Sequence, residues 1–182
     1  MKPHEGLTDC RLCPRLVDWR EHIADVKRAS FADETYWGRP VPALGPLDAS
    51  VLIVGLAPAA HGANRTGRMF CGDNSGRWLF RALHKVGLVD RELGDDPPWP
   101  NATGCRITAV VHCAPPDNKP TTIETNTCRD TWLVPEIKAM PNLGVVVALG
   151  GLAWANVARV GTEVGWSIPR PRPSFGGTIS IG

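Results

Sequence analysis

Ser50-Val51-Leu52-Ile53-Val54 runs directly into Gly55-Leu56-Ala57-Pro58-Ala59-Ala60-His61-Gly62. The apolar run is short, continuous and β-branched. A strand that shows no polar alternation is buried on both faces, which is the habit of a parallel sheet. The same punctuation recurs twice further on. Arg106-Ile107-Thr108-Ala109-Val110-Val111 is a second strand, and Val145-Val146-Val147-Ala148-Leu149 is a third, ending at Gly150-Gly151. Each is followed by a loop and then a helical pattern. Residues 76–87 place Leu79, Phe80, Leu83 and Val86 at helical spacing, with Ser75 as the predicted cap. Thr121 or Thr122 opens a helix predicted to run to about residue 140, and residues 152–160 form a short third one. Ahead of the first strand, residues 14–28 carry Leu16, Trp19, Ile23 and Val26 at steps of three and four, with Pro14 in the first turn. Strand, loop and helix repeated three times predict an α/β fold around a doubly wound parallel sheet. Thr178-Ile179-Ser180-Ile181 is predicted to begin a further strand.

Composition bounds the function. The chain has 182 residues, 43% hydrophobic and 21% charged, which suits one globular domain over residues 1–182 and excludes a disordered segment. The most apolar window, residues 143–160, is broken by Gly150, Gly151 and Asn156, so no membrane span is expected. The first residues have no apolar signal core, and the expected compartment is the cytoplasm. A net charge of +2 announces no partner, but its distribution is uneven. Between residues 63 and 85, Arg65, Arg68, Arg77, Arg81 and Lys85 face Asp73 alone. Such a segment suits a phosphate partner, or is a solvated helix face.

Ligands of open parallel sheets bind beyond the carboxyl ends of the strands. The loop leaving the first strand is long and holds Gly55, Gly62, Gly67, Gly72 and Gly76. It fits neither a P-loop nor a dinucleotide fingerprint. Six cysteines in a chain expected to be cytoplasmic are no disulfide framework. Cys10-x2-Cys13 with the distant pair Cys113 and Cys128 suits four-thiolate ligation, of zinc or of an iron–sulfur cluster. Cys71 and Cys105 read as small buried apolar residues.

These stretches carry a resemblance. Gly55 to Arg68, continuing through Gly72-Asp73-x-Ser75-Gly76, resembles the signature of family 5 uracil-DNA glycosylases. Cys10-x2-Cys13-Pro14-Arg15-Leu16, Tyr36-Trp37-Gly38-Arg39-Pro40-Val41-Pro42, Cys113-Ala114-Pro115-Pro116-x-Asn118 and Pro169-Arg170-Pro171-Arg172-Pro173 are similar to supporting pieces of that family. The resemblance runs from about residue 10 to residue 175. It implies a three-layer α/β/α fold of the uracil-DNA glycosylase type and the excision of uracil and other deaminated or modified bases from DNA. It further implies a 4Fe-4S cluster on Cys10, Cys13, Cys113 and Cys128. Phe70 matches the aromatic that stacks on the extruded base, Asn118 the residue that reads its edge, and Asp73 the acid of the hydrolytic step. Gly55 and Ala57 belong to the base-binding loop. His61, Asn64, Arg65 and Arg68 are the expected DNA contacts, and the expected state is a monomer.

The residue chemistry is compatible with these roles. A flat ring offers a stacking face to a flipped base. An amide matches the donors and acceptors of an imide edge. A carboxylate stabilises an oxocarbenium-like state and orients water. Each has an ordinary alternative: a core Phe70, a turn Asn118 and a helix-capping Asp73. One departure stands out. The family's second motif, of the type His-Pro-Ser, is absent, and Phe175-Gly176-Gly177 lacks the histidine often placed there. The last strand and second motif are therefore expected to be missing. The competing expectation is a catalytically impaired fragment that keeps a cluster and binds DNA, and a further one is a small zinc-stabilised α/β protein.

Overall fold

The computed structural model of the chain describes residues 3–95 and 97–180. Three strands, β1 (Val51–Gly55), β2 (Cys105–Ala109) and β3 (Val145–Ala148), form a parallel sheet in the order β2-β1-β3. Ile53 lies opposite Ile107 on one side and Val147 on the other. The continuous apolar run thus occupies the sheet centre, as its lack of alternation requires.

Among the described residues six α-helices flank it: α1 (Pro14–Val26), α2 (Ala63–Thr66), α3 (Asn74–Lys85), α4 (Thr122–Cys128), α5 (Val134–Lys138) and α6 (Gly151–Glu163). Successive strand residues point to opposite faces. Leu52 and Val54 accordingly join a core with Leu16 of α1, Val134 and Ile137 of α5, and Ala153, Val157 and Val160 of α6. Ile53 and Ile107 join a second core with Met69 and with Phe80 and Leu83 of α3. Two cores on two faces make the three-layer α/β/α sandwich. The open edge is β3, where Val145 and Val147 are 52% and 41% exposed.

Four local expectations are corrected. Asp73, not Ser75, caps α3: its side chain accepts from the Gly76 amide, and α3 starts at Asn74. The long loop after β1 contains α2. The helix predicted over 121–140 is interrupted by a π-helical turn at Arg129–Leu133. Pro135 has no amide hydrogen to return to the preceding turn, and Thr131 Oγ1 donates to the Thr127 carbonyl at 2.7 Å, which loosens the ladder. Residues 178–180 form no strand, and Ile181 lies outside the described residues. Among the described residues no helix is long and apolar enough to cross a membrane.

Candidate active site

A cleft of about 350 Å³ opens at the carboxyl ends of β1 and β2. Gly55, Leu56, Ala57, Pro58, Met69, Phe70, Asp73, Ser75 and Asn118 are among the residues that line it. The strands deliver Gly55 to the floor, the loop before α3 delivers Phe70 and Asp73, and the loop after β2 delivers Asn118. The structure therefore brings together all five residues named as catalytic or base-binding.

Each is held by a local device. Phe70 has φ 58°, a left-handed backbone that an L-residue adopts at a cost of about 1–2 kcal/mol. Its ring lies over Gly55, where a Cβ would come within 2.6 Å of Phe70 Cζ. Glycine at that strand end is what lets the tip of the ring reach the cleft floor. Asp73 Oδ1 accepts from the Gly76 amide at 3.1 Å and from Ser75 Oγ at 2.5 Å. Asp73 Oδ2 lies beside Gly62, where a Cβ would stand 2.5 Å away, and has no hydrogen-bond donor among the described residues. One carboxylate oxygen thus caps the helix and the other stays free. Asn118 has φ 55° and is exposed, and its side-chain amide makes no hydrogen bond among the described residues.

The expected DNA contacts fare differently. Asn64 is fully buried and donates to the Arg20 carbonyl at 3.2 Å, so it ties the loop to α1 and cannot meet DNA. Arg65 donates to the His61 carbonyl at 2.9 Å, pairs with Glu34 and lies 3.9 Å over the Phe31 ring. Arg68 donates to the Pro100 carbonyl at 2.8 Å. The Arg65 guanidinium is thereby held within the fold by Glu34, whereas Arg68 is anchored through Nη2 to neutral oxygens and forms no ion pair among the described residues. His61 shares a 3.0 Å hydrogen bond with Tyr36 Oη and is not among the cleft-lining side chains. Burial, helped by Arg28 and Arg65, keeps its imidazole below the ordinary value.

Cys10, Cys13, Cys113 and Cys128 converge on one cavity at the amino end of α1. All six cysteines are free thiols. Burial pushes the Cys113 thiol up to about 11 and also raises Cys13 and Cys128. Yet donors are aimed at these sulfurs. Arg20, itself buried, places Nη1 2.9 Å from Cys113 Sγ, and the His112 amide lies 3.3 Å from Cys128 Sγ. A buried guanidinium beside buried sulfur is compensated when the sulfur is anionic, which metal ligation ensures. Cys71 and Cys105 are buried apart from this cavity, as expected.

Sequence reasoning missed the braces around these residues. Arg20 sits on the same α1 face as Leu16 and Ile23, and a cation on an apolar stripe was the available signal. Arg15 of α1 donates to both oxygens of Glu124 at 2.7 Å and to the Lys119 carbonyl at 3.2 Å. Glu124 also completes a capping box with Thr121 at the start of α4.

A parallel α/β sandwich with an aromatic, an amide and a carboxylate in one strand-end cleft has a counterpart among known families. The uracil DNA glycosylase superfamily matches residues 42–178, and the chain belongs to it. Its relatives place it in the type-5 group. A type-5 uracil-DNA glycosylase of Mycobacterium tuberculosis is 50% identical over 175 residues, 95% of this chain and 64% of that protein. One from Mycobacterium leprae is 56% identical over 153 residues, 83% of this chain and 66% of that protein. One from Thermus thermophilus is 50% identical over 152 residues, 82% and 67% of the two chains. The chain thus spans about two thirds of the length of these relatives.

Proposed function

We propose that this chain hydrolyses the N-glycosidic bond joining uracil, or another deaminated or modified base, to DNA. The carrying observation is the single cleft in which Phe70, Asn118 and Asp73 meet. Its volume falls in the range of small-molecule sites. A base inside a duplex has no exposed glycosidic bond, so it enters such a cleft only when flipped. The Phe70 ring, fixed on Gly55, stacks on the base. The free Asn118 amide offers both a donor and an acceptor to its edge. Asp73 Oδ2 holds the attacking water and stabilises the positive charge that grows on the sugar as the bond to the base breaks. Water supplies hydroxyl to the sugar carbon, and the base leaves with the bonding electrons. Ser75 and the Gly76 amide keep the other carboxylate oxygen occupied, which fixes the orientation of Oδ2. Lys119 and Arg81, exposed and without ion-pair partners among the described residues, are placed to take phosphate contacts.

The four cysteines fit a 4Fe-4S cluster. Four thiols converge on one cavity with Arg20 and the His112 amide aimed at two of the sulfurs, a donor set that such a cluster accepts. When bound, the cluster supplies a cross-link between the segment before α1 and the start of the Asn118 loop. Arg20 then offsets the negative charge of its thiolates.

Single-turnover incubation with uracil-containing single-stranded and mismatched oligonucleotides tests this reading, because flipping costs least there. The expected product is an alkali-labile abasic site, absent with Asp73→Asn. Salt-sensitive DNA binding with no abasic product would overturn it and leave a cluster-containing DNA-binding protein.

A further inference from the structure

His4, His112 and Glu136 meet in a buried corner that the proposed reaction does not use. Their ligand atoms all lie within 4.8 Å of one another. Glu136, on α5, is fully buried; its Oε1 accepts from Arg106 Nε at 2.5 Å and its Oε2 from Thr108 Oγ1 at 2.8 Å. Both donors stand on one face of β2. His112 is also fully buried, and its Nδ1 lies 2.7 Å from the Val41 carbonyl. A carbonyl only accepts, so Nδ1 carries the hydrogen, and Nε2 of the neutral ring presents a lone pair. That Nε2 has no hydrogen-bond partner among the described residues, and neither has His4 Nε2, which stands 3.3 Å from Glu136 Oε2.

We propose that His4, His112 and Glu136 form a binding site for one divalent metal ion of the zinc class. Two imidazole nitrogens and one carboxylate oxygen are the donor set such ions accept. A proton between His4 and Glu136 serves that pair and leaves the His112 lone pair buried with nothing to bind; one cation, drawing the atoms in from a spread of up to 4.8 Å, serves all three. The surrounding contacts are those that orient ligands: a backbone carbonyl fixes the His112 tautomer, and Arg106 and Thr108 fix the carboxylate. Arg106 opposes the incoming charge, so the affinity expected is below that of closed four-ligand zinc sites. The ion fastens the segment ahead of α1 to β2 and α5. The inference is independent of the glycosylase reading.

The test uses the purified full chain with its four-cysteine site in the as-isolated state. The chain is dialysed against buffered zinc, and retained zinc is counted and examined by X-ray absorption at the zinc edge. The expected result is one zinc per chain with a first shell of nitrogen and oxygen only. His4→Ala should weaken retention at least about tenfold while leaving the visible absorption of the cysteine site unchanged. Zinc should raise the thermal midpoint of the wild-type chain and not that of the variant. The proposal is overturned by any of three results: no zinc retained at micromolar free zinc, sulfur in the first shell, or retention unaltered by His4→Ala.

Discussion

Replacing Asp73 separates two roles that one side chain performs. Its Oδ1 caps α3 through the Gly76 amide at 3.1 Å, and its Oδ2, beside Gly62, has no hydrogen-bond donor among the described residues. Asparagine is as good a cap as aspartate, so Asp73→Asn keeps the first role and removes the second. It loses only the favourable interaction of a negative charge with the helix start, about 0.3–1 kcal/mol. Asp73→Ala loses the cap as well, a further ~1 kcal/mol. In a chain of 182 residues that further loss lowers the thermal midpoint by about 2–4 °C relative to the asparagine variant. Excision should behave otherwise. Removing one group that stabilises the transition-state charge costs about 2.7–4 kcal/mol, or 10²–10³ in rate, and both variants should lose it alike. The assay is enzyme-excess, single-turnover release of uracil from a single-stranded oligonucleotide, with melting followed by circular dichroism. An asparagine variant within about threefold of the wild-type rate, or one melting as low as the alanine variant, would refute the division of labour between the two oxygens.

Three further outcomes are expected. The proposed cluster should colour the protein brown; Cys13→Ala should abolish that colour and lower the melting temperature, whereas Cys71→Ala should leave the visible spectrum intact, with anaerobic purification and absorption spectra as the check. Arg20→Met should release the metal of the four-cysteine site faster under chelator challenge, because the only guanidinium at Cys113 Sγ among the described residues is gone. Glu124 is held below its ordinary value of 4.5, first by the Arg15 hydrogen bonds. The stability it contributes is complete above that value and is lost as pH falls through the lower folded value. Arg15→Met should flatten this acid limb in urea melts and cost about 1 kcal/mol at neutral pH, since Arg15 is itself well exposed.

What the sequence revealed depended on how local the cause was. Val51 to Val54 announced a buried strand because burial on both faces is written in consecutive residues. Thr121 or Thr122 announced a helix start because a capping hydroxyl acts within one turn, and the structure selects Thr121, whose side chain accepts from the Glu124 amide. Phe70, Asp73 and Asn118 were legible through a resemblance, and the geometry then brought them into one cleft. The anchoring of the arginines was illegible for the opposite reason. The partners of Arg65 and Arg68, Glu34 and Pro100, are 31 and 32 residues away in the chain, and no local pattern marks them. Asn64 looked like a polar loop residue, yet the loop folds under α1 and buries it. The His4, His112 and Glu136 corner draws on an N-terminal turn, the end of β2 and α5, so nothing in its spacing points to a site. The π-helical turn was illegible because its cause, Pro135 with Thr131, competes with a strong helical pattern around it.

The cysteine corner and the cleft are linked through α1, which gives a group bound at the cysteines a route to the proposed reaction. Asp117 and Asn118 both adopt left-handed backbone, with φ 53° and 55°. Such a pair reverts to relaxed geometry unless its neighbours are fixed. They are fixed on both sides. Cys113 stands five residues before Asn118, among the sulfurs that Arg20 faces. After Asn118, the Lys119 carbonyl accepts from Arg15, and the same guanidinium grips Glu124, whose carboxylate closes the cap of α4. Arg15 and Arg20 stand on α1, and Cys13 immediately precedes it. A metal group joining Cys13 to Cys113 would therefore lock α1 to the loop's first residue, while Arg15 locks α1 to its last. Held at both ends, the turn can present the Asn118 amide in one orientation. A group bound at the cysteines would act on the proposed base recognition by removing the freedom of that turn, without touching the base.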